Sequence, residues 1–432
     1  MKIAYVTAGA AGRYCGNCLR DNLLALTLRR LGEDVVLVPT YTPIRTEGHD
    51  ASEKRLFFNG VRVFLEQKYA FFRKPRPLLD RLLGSRTLLR ALSRFGASTD
   101  ARQLGELTLS MLRGNQGHQK KELEELAEWL ARDVQPDVVH LSNALLVGMA
   151  PRLREVLKVP VVCGLQAEDS FLDRLSAGHR EAALRLIREQ SADLDGLVAV
   201  SEYYADHVAE SFGLSRDKIS VVLPGVDLEG HEPVTRARGE SLSVGYLARI
   251  APEKGLHLLC DAFRTLASQP EFSTLRLKVA GYLAGDCLGY AAGLRGALSR
   301  AGVGDRVEFV GTVDRQGKLE FLRGVDVLAV PTVYPDPKGL FVLEALASGI
   351  PVVAPRHGAF PEIIEKTGGG VLCEPQDPDS LAAALRELLH DTERRHELGE
   401  RGRRAVEESF SAERMARETL SIYQGLRSGA AT

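Results

Sequence analysis

Short apolar runs alternate with longer helical stretches along most of the chain. In the first half, the runs are rich in valine, are bounded by Gly, Pro or Asp, and occupy residues 3–8, 34–40, 137–142, 159–165 and 196–202. Such runs are typical of parallel strands buried on both faces. Between the first two runs, leucines recur at near-helical spacing, at Leu19, Leu23, Leu26 and Leu31. This alternation predicts an α/β fold with a doubly wound parallel sheet.

The same pattern then starts again. A second series of apolar runs occupies residues 243–250, 275–281, 307–313, 325–332, 350–355 and 370–375. A polar stretch with Gly and Pro, residues 224–240, separates the two series and predicts a linker. We therefore expect two Rossmann-like domains, residues 1–225 and 242–408, with a linker over 226–241. Ligands bind outside the carboxyl ends of such sheets, which predicts an interdomain cleft as the site.

Length and composition fit this organisation. A chain of 432 residues suggests two or three domains. The 56 basic and 57 acidic side chains give a net charge of −1, which argues against a general nucleic-acid binder. Six cysteines are too few for a disulfide framework, and no apolar run is long enough to span a membrane. The expected location is cytoplasmic.

One segment departs from the even charge balance. Residues 68–95 carry eight basic side chains against Asp80 alone, and aromatic and leucine side chains lie between them. We expect a basic helical insertion over about 68–125 in the first domain. Two interpretations stay open: a peripheral contact with an anionic membrane surface, or a packed insertion that binds a soluble anionic acceptor.

The stretch YLARIAPEKGLHLL, residues 246–259, places two cations between a strand and a helix. Arg249 ends the apolar strand, and Lys254 with Gly255 opens the helical pattern. Cations beside the unpaired N–H groups of a helix N-terminus suit an anionic phosphate group. The alternative is a surface turn with solvated charges.

A second motif lies in residues 334–364. Asp336 and Glu344 are separated by seven residues, and a helix from about Gly339 to Ala347 is predicted between them. A carboxylate at Glu344 can accept two hydroxyl hydrogen bonds, as in ribose recognition. The alternative is an ordinary amphipathic helix with a solvated glutamate. The glycine-bearing loop over 356–362 follows the next strand, where the backbone can approach a ligand closely.

Taken together, these motifs resemble the retaining family 4 glycosyltransferases of the GT-B fold. The resemblance covers nearly the whole chain, including a C-terminal helix, residues 409–432, that is expected to pack back on the N-terminal domain. It implies transfer of a sugar from a nucleotide-diphosphate donor, with a UDP- or GDP-sugar expected. The acceptor would be a hydroxyl of a glycan, a lipid-linked or a small-molecule compound. The nucleotide-sugar is then a substrate, and no cofactor is expected.

The resemblance also implies roles for individual residues. Arg249 and Lys254 would hold the diphosphate and act as the catalytic cations, and replacing either one should leave the fold intact. Residues expected to bind the donor are Gly12, Asp336, Gly339, Leu340, Glu344, Gly358, Phe360, Pro361 and Glu362. Two positions depart from the family: Asp336 stands where glutamate is usual, and Gln166 where a histidine is usual. Candidates for contact with the sugar or the acceptor are Gln166, Glu168 and His140.

Metal-ligand patterns are weak in this sequence. Asp377 and Asp379 precede an apolar helical run and therefore suggest a helix N-terminus. Cys15 and Cys18 form a CxxC that no second CxxC or HxxxH completes. We therefore expect metal-independent activity and no metal site. The rival hypotheses are a non-catalytic nucleotide-sugar-binding protein and a GT-B sugar-nucleotide epimerase.

Overall fold

The chain divides into two compact α/β units in a computed structural model. The structure describes residues 1–9, 16–44, 46, 49–53, 57, 101–232 and 241–430. The first unit comprises residues 1–223 and 415–432, and the second unit comprises residues 224–414. The chain therefore leaves the first unit and returns to it at the C-terminus.

Six strands form the first sheet, and helices flank it. The strands are β1 (Lys2–Thr7), β2 (Asp34–Pro39), β3 (Val138–Leu141), β4 (Val161–Leu165), β5 (Gly196–Ala199) and β6 (Ile219–Val221). The α-helices are α1 (Gly16–Arg30), α2 (Ala101–Leu112), α3 (Lys120–Trp129), α4 (Ala150–Leu157), α5 (Asp169–Leu172), α6 (Ala177–Gln190) and α7 (Glu202–Phe212). A last helix, α15 (Ala412–Ala430), follows the second unit and supplies residues 415–430 to the first.

All neighbouring strands of the first sheet are parallel, in the order β2-β1-β3-β4-β5-β6. Alternate side chains of β1 enter different core layers, because successive residues of a strand point to opposite faces. Ala4 and Val6 lie in one layer, and Ile3 and Tyr5 lie in the other. The second layer also contains Tyr423 of α15, so the C-terminal helix packs into the core of this unit.

The second unit repeats this architecture. Its strands are β7 (Ser243–Leu247), β8 (Arg276–Ala280), β9 (Val307–Gly311), β10 (Val327–Ala329), β11 (Val352–Pro355) and β12 (Gly370–Cys373). Its α-helices are α8 (Leu256–Ala267), α9 (Leu288–Arg300), α10 (Arg315–Arg323), α11 (Leu340–Ala347), α12 (Phe360–Thr367), α13 (Pro378–His390) and α14 (Thr392–Ser409). Asp377 is the N-cap of α13 and accepts from the amides of Asp379 and Ser380, as the sequence suggested.

The order of strands in the second sheet fixes where its loops meet. The sheet runs β12-β11-β10-β7-β8-β9 and is parallel throughout. The chain builds outward from β7 to one edge and then returns to add β10 on the other side of β7. The strand order therefore reverses between β7 and β10. Open α/β sheets bind their ligands outside the carboxyl ends of the strands at such a point.

Some expectations for the chain organisation differ from the structure. The start of the expected linker belongs to the second unit, because Val226 N donates to Phe410 O at 2.8 Å and Val226 O accepts from Ala412 N at 3.0 Å. The described end of the expected insertion, residues 101–125, is mostly helical. Gly12 and residues 68–95 lie outside the described residues, so the predictions for them stay predictions. Among the described residues, no helix is long and apolar enough to cross a membrane.

His231 lies five residues after Val226 and is buried beside α11. Its Nδ1 lies 2.7 Å from Ser348 Oγ, and the residue is 5% exposed. Burial lowers the pKa of His231 from 6.5 to about 4, and the charged groups around it modify this shift further. Arg315, Lys318 and Arg403 lower the pKa, whereas Asp227 raises it.

We expect His231 to make the second unit sensitive to acid. The unfolded chain takes up a proton near pH 6.5 and the folded chain only near pH 4, so stability falls as the pH drops through this window. The loss from this group alone reaches about 3 kcal/mol at pH 4 and vanishes above pH 7. Native-state hydrogen exchange of the strand amides measures this loss of stability. His231→Asn, which cannot titrate, should lose about 3 kcal/mol less over the same window; an equal loss would contradict the assignment.

Candidate functional site

The reversal point of the second sheet brings together several of the residues that the sequence singled out. Arg249 comes two residues after the end of β7, and Lys254 lies in the same connection to α8. The connection after β10 carries Tyr334 and Asp336. Since β7 and β10 are hydrogen-bonded neighbours, the two connections leave the same edge of the sheet side by side.

A tight turn places Lys254 directly before a helix. Residues Pro252–Lys254 form a single 3₁₀ turn, and Gly255 N donates to Pro252 O at 3.0 Å. Gly255 has a φ of 72°, in the left-handed region that favours glycine. Helix α8 begins at the next residue, so Lys254 lies close to a helix N-terminus.

The Lys254 ammonium forms a triangle of hydrogen bonds with two side chains of the β10 connection. Its Nζ lies 2.7 Å from Tyr334 Oη and 2.8 Å from Asp336 Oδ2. Tyr334 Oη donates to the same carboxylate oxygen at 2.9 Å. The side chains of Lys254 and Asp336 are 14% and 7% exposed, so this ion pair is largely buried.

Both members of this pair are charged over a wide pH range. Burial alone would lower the pKa of Lys254, but Asp336 and Tyr334 outweigh it, and the pKa is raised well above 10.5. Burial alone would raise the pKa of Asp336, but Lys254 and then Lys338 hold it well below 3.8. The pair therefore contributes its stability between about pH 4 and pH 10, and loses it only beyond these limits.

Asp336 also fixes the start of α11. Its Oδ1 accepts from the amides of Lys338 and Gly339, both at 3.0 Å. Gly339 is the N-cap of α11, and Leu340 is the first helical residue, one position later than predicted. Asp336, Gly339 and Leu340, which the sequence predicts to bind the donor, therefore meet at the N-terminus of α11.

The loop over 356–362 approaches Asp336 rather than open space. Gly358 has a φ of 61°, and a Cβ built on it would lie 2.5 Å from Asp336 O. Phe360 begins α12 and is fully buried, with its ring centroid 5.8 Å from that of Phe341. Pro361 and Glu362 occupy the first turn of the same helix. Phe360 is therefore a packing residue of the second unit.

Arg249 is more accessible than Lys254. Its Nη2 lies 2.6 Å from Glu253 Oε1, and the two side chains are 37% and 40% exposed. An exposed ion pair of this kind contributes only about 0–1 kcal/mol. A more highly charged anion can therefore replace Glu253 as the partner of Arg249 at little cost.

Glu344 lies on α11 and is paired with a lysine that the sequence did not mark. Lys318 Nζ of α10 lies 2.6 Å from Glu344 Oε1, and the two side chains are 7% and 22% exposed. A lysine on a helix usually points to solvent, so no sequence signal distinguished Lys318. Tyr334 was not predicted as a site residue either, although it lies only two residues before Asp336.

We expect Glu344→Gln to weaken donor binding more than it slows turnover. Ribose contacts are made equally before and during reaction, so their loss raises KM with kcat little changed. A hydrogen bond to a charged group contributes about 1.5–3 kcal/mol, which corresponds to about 10–100-fold in affinity. Steady-state kinetics measures the split, and Glu320→Gln, at an exposed site on α10, is the matched control. A lower kcat with unchanged donor affinity would place Glu344 away from the ribose.

The three candidates in the first unit are interior residues. Gln166 is fully buried, and its Nε2 donates to Asp21 Oδ1 at 3.0 Å and to Ser142 O at 2.7 Å. Glu168 is 3% exposed and accepts from Tyr204 Oη at 2.8 Å.

His140 is 1% exposed, and its ring stacks on Tyr5 with the centroids 4.5 Å apart. Burial, with a smaller effect of Arg20, lowers the pKa of His140 to about 3. These contacts bury the side chains of Gln166, Glu168 and His140 within the first unit, and the prediction that they contact the sugar or the acceptor stays a prediction.

Comparison with known proteins agrees with this architecture. The family model for glycosyl transferases group 1 matches residues 230–405, and the model for Glycosyltransferase Family 4 matches residues 108–229. A D-inositol 3-phosphate glycosyltransferase of Corynebacterium urealyticum is 30% identical over 266 residues, which are 58% of this chain and 62% of the relative. A glycogen synthase of Mycobacterium tuberculosis is 28% identical over 69% of this chain and 71% of its own length.

Among solved structures, Anabaena HepE in complex with UDP has a TM-score of 0.70. It is 16% identical, and the match covers 98% of this chain and all of HepE. The fold is therefore a two-domain, Rossmann-like GT-B fold. With both family models matched in consecutive order, the chain belongs to the family 4 glycosyltransferases.

Proposed function

We propose that this protein transfers a sugar from a nucleotide-diphosphate donor to an acceptor hydroxyl. The observation that carries the proposal is the position of Arg249 and Lys254 at the reversal point of the second sheet, beside helix N-termini. Two cations beside the positive ends of helix dipoles suit a diphosphate. Support comes from the family and from HepE, a neighbour that was solved with UDP.

The reaction that we propose is substitution at the anomeric carbon with retention. The bond from this carbon to the diphosphate oxygen breaks, and a bond to the acceptor oxygen forms on the same face. The leaving diphosphate takes the acceptor proton. Arg249 and Lys254 would stabilise the negative charge that grows on the diphosphate, which is electrostatic catalysis by groups already in place. We propose a glycan, a lipid-linked compound or a small molecule as the acceptor.

A panel of UDP-, GDP- and ADP-sugars tests the proposal. A donor present at a hundred times its dissociation constant should add about 2.7 kcal/mol of stability, visible as a thermal shift. The wild-type protein should also hydrolyse that donor slowly without an acceptor. Binding without any turnover would favour a non-catalytic binding protein, and conversion of the donor to an isomeric sugar nucleotide would favour an epimerase. The anomeric configuration of the product, read by NMR, decides retention.

We expect the activity to be independent of divalent metal ions. Lys254 and Arg249 supply the positive charge that a metal would otherwise bring to the diphosphate. Donor hydrolysis and transfer should therefore proceed at an undiminished rate in excess EDTA. Loss of activity that Mg²⁺ or Mn²⁺ restores specifically would refute this expectation.

A further inference from the structure

The carboxylate of Asp336 has no remaining capacity to accept a hydrogen bond. An ionised carboxylate has about four lone-pair sites on its two oxygens. Oδ2 accepts from Lys254 and Tyr334, and Oδ1 accepts from the amides of Lys338 and Gly339. The residue is also only 5% exposed. A sugar hydroxyl could bind this carboxylate only by displacing one of four internal donors.

Among the contacts of the described residues, in contrast, the Lys254 ammonium keeps one N–H donor for a ligand. An ammonium carries three N–H groups, and Tyr334 and Asp336 accept two of them. The rings of Tyr334 and Phe341 also lie near Nζ, at 4.9 and 5.4 Å from their centroids. Two oxygens and two ring faces thus restrain an otherwise flexible side chain, which lowers the entropy cost of binding an anion.

We infer that Asp336 and Tyr334 are positioning residues, which hold the Lys254 ammonium for the donor diphosphate and do not recognise the donor sugar. This inference rests on the proposed function and gives Asp336 a different role from the one that the family resemblance implied. Asp336 both anchors the Lys254 ammonium and accepts the amide hydrogen bonds at the start of α11. Tyr334, which the sequence did not mark, closes the triangle by accepting from Lys254 and donating to Asp336.

The first test needs no ligand. In Asp336→Asn the ammonium loses its counter-charge, and burial then lowers the pKa of Lys254. We expect NMR of lysine side chains to show Lys254 protonated beyond pH 10.5 in the wild type and titrating at a lower pH in the variant. An unchanged titration would overturn the anchoring role. This result is independent of whether the protein is a transferase.

The second test separates the diphosphate from the sugar. Tyr334→Phe and Asp336→Asn should weaken the binding of the nucleoside diphosphate alone and lower kcat about tenfold or more. The factor should be the same for the complete donor and for donors that lack single sugar hydroxyls. Asp305→Asn, at an exposed position just before β9 in the same unit, is the matched control.

A sugar contact would give a different result. The loss caused by Asp336→Asn would then disappear with one deoxy-sugar donor, and affinity for the nucleoside diphosphate would be unchanged. That outcome would overturn the inference while leaving the transferase proposal standing. A wild-type protein that binds no nucleoside diphosphate would refute the proposed function, whereas the Lys254 titration would still decide the anchoring role.

Discussion

Replacing either Arg249 or Lys254 with alanine will lower the turnover number by about 10²–10³-fold, the usual cost of removing one electrostatic contact already in place. Charge on the diphosphate grows as the glycosidic bond breaks, so cations that hold it, as we propose for Arg249 and Lys254, should bind the transition state more strongly than the ground state. Arg264→Ala, which removes an exposed cation of α8, is the matched control and should keep normal turnover. Near-normal turnover in both site variants would mean that the diphosphate binds elsewhere.

The two variants will differ in stability, contrary to the expectation from the sequence that both would leave the fold intact. Arg249 is paired at the surface, so its loss costs at most about 1 kcal/mol. Lys254→Ala leaves the buried Asp336 without its counter-charge, and breaking such a pair costs about 3–5 kcal/mol. Kinetics on Lys254→Ala must therefore be measured at a temperature where circular dichroism shows the variant folded.

Hydrophobic periodicity predicted most of the architecture. Eleven of the strands lie within or one residue beside the apolar runs, because buried parallel strands are short, continuous and rich in valine. Strand β6, Ile219–Val221, was missed. It has only three residues, and its middle residue, Ser220, is polar and exposed, so the strand forms no continuous apolar run.

The identity of the candidate residues could be predicted, but their partners could not. Lys254 and Asp336 are 82 positions apart, and they meet only because the sheet places β7 beside β10. Strand order is a tertiary property that local spacing does not contain. For the same reason, the pairing of Glu344 with Lys318 and the burial of Gln166 were not visible in the sequence.

Gly255→Ala will unfold the second unit at a much lower temperature and abolish most of the turnover. A left-handed φ alone costs a residue with a Cβ about 1–2 kcal/mol. At this position a Cβ would also lie 1.7 Å from Pro331 O, in the connection that follows β10. The clash involves backbone on both sides, so either the 3₁₀ turn or the Pro331 connection must move, and the total cost should exceed about 4 kcal/mol.

Gly302→Ala separates the cost of the left-handed φ from the cost of the clash with Pro331. Gly302 has nearly the same φ, 70°, but a Cβ there would meet nothing within 4 Å. It should therefore lose only about 1–2 kcal/mol, or about 2–8 °C in the melting temperature of a unit of this size, with normal turnover. Gly255→Ala should lose more than about 10 °C by calorimetry, and the fraction that still folds should be slow because Lys254 is displaced. Equal losses in the two variants would show that the turn accommodates a Cβ, and that the close approach of Gly255 to Pro331 does not hold Lys254 in place.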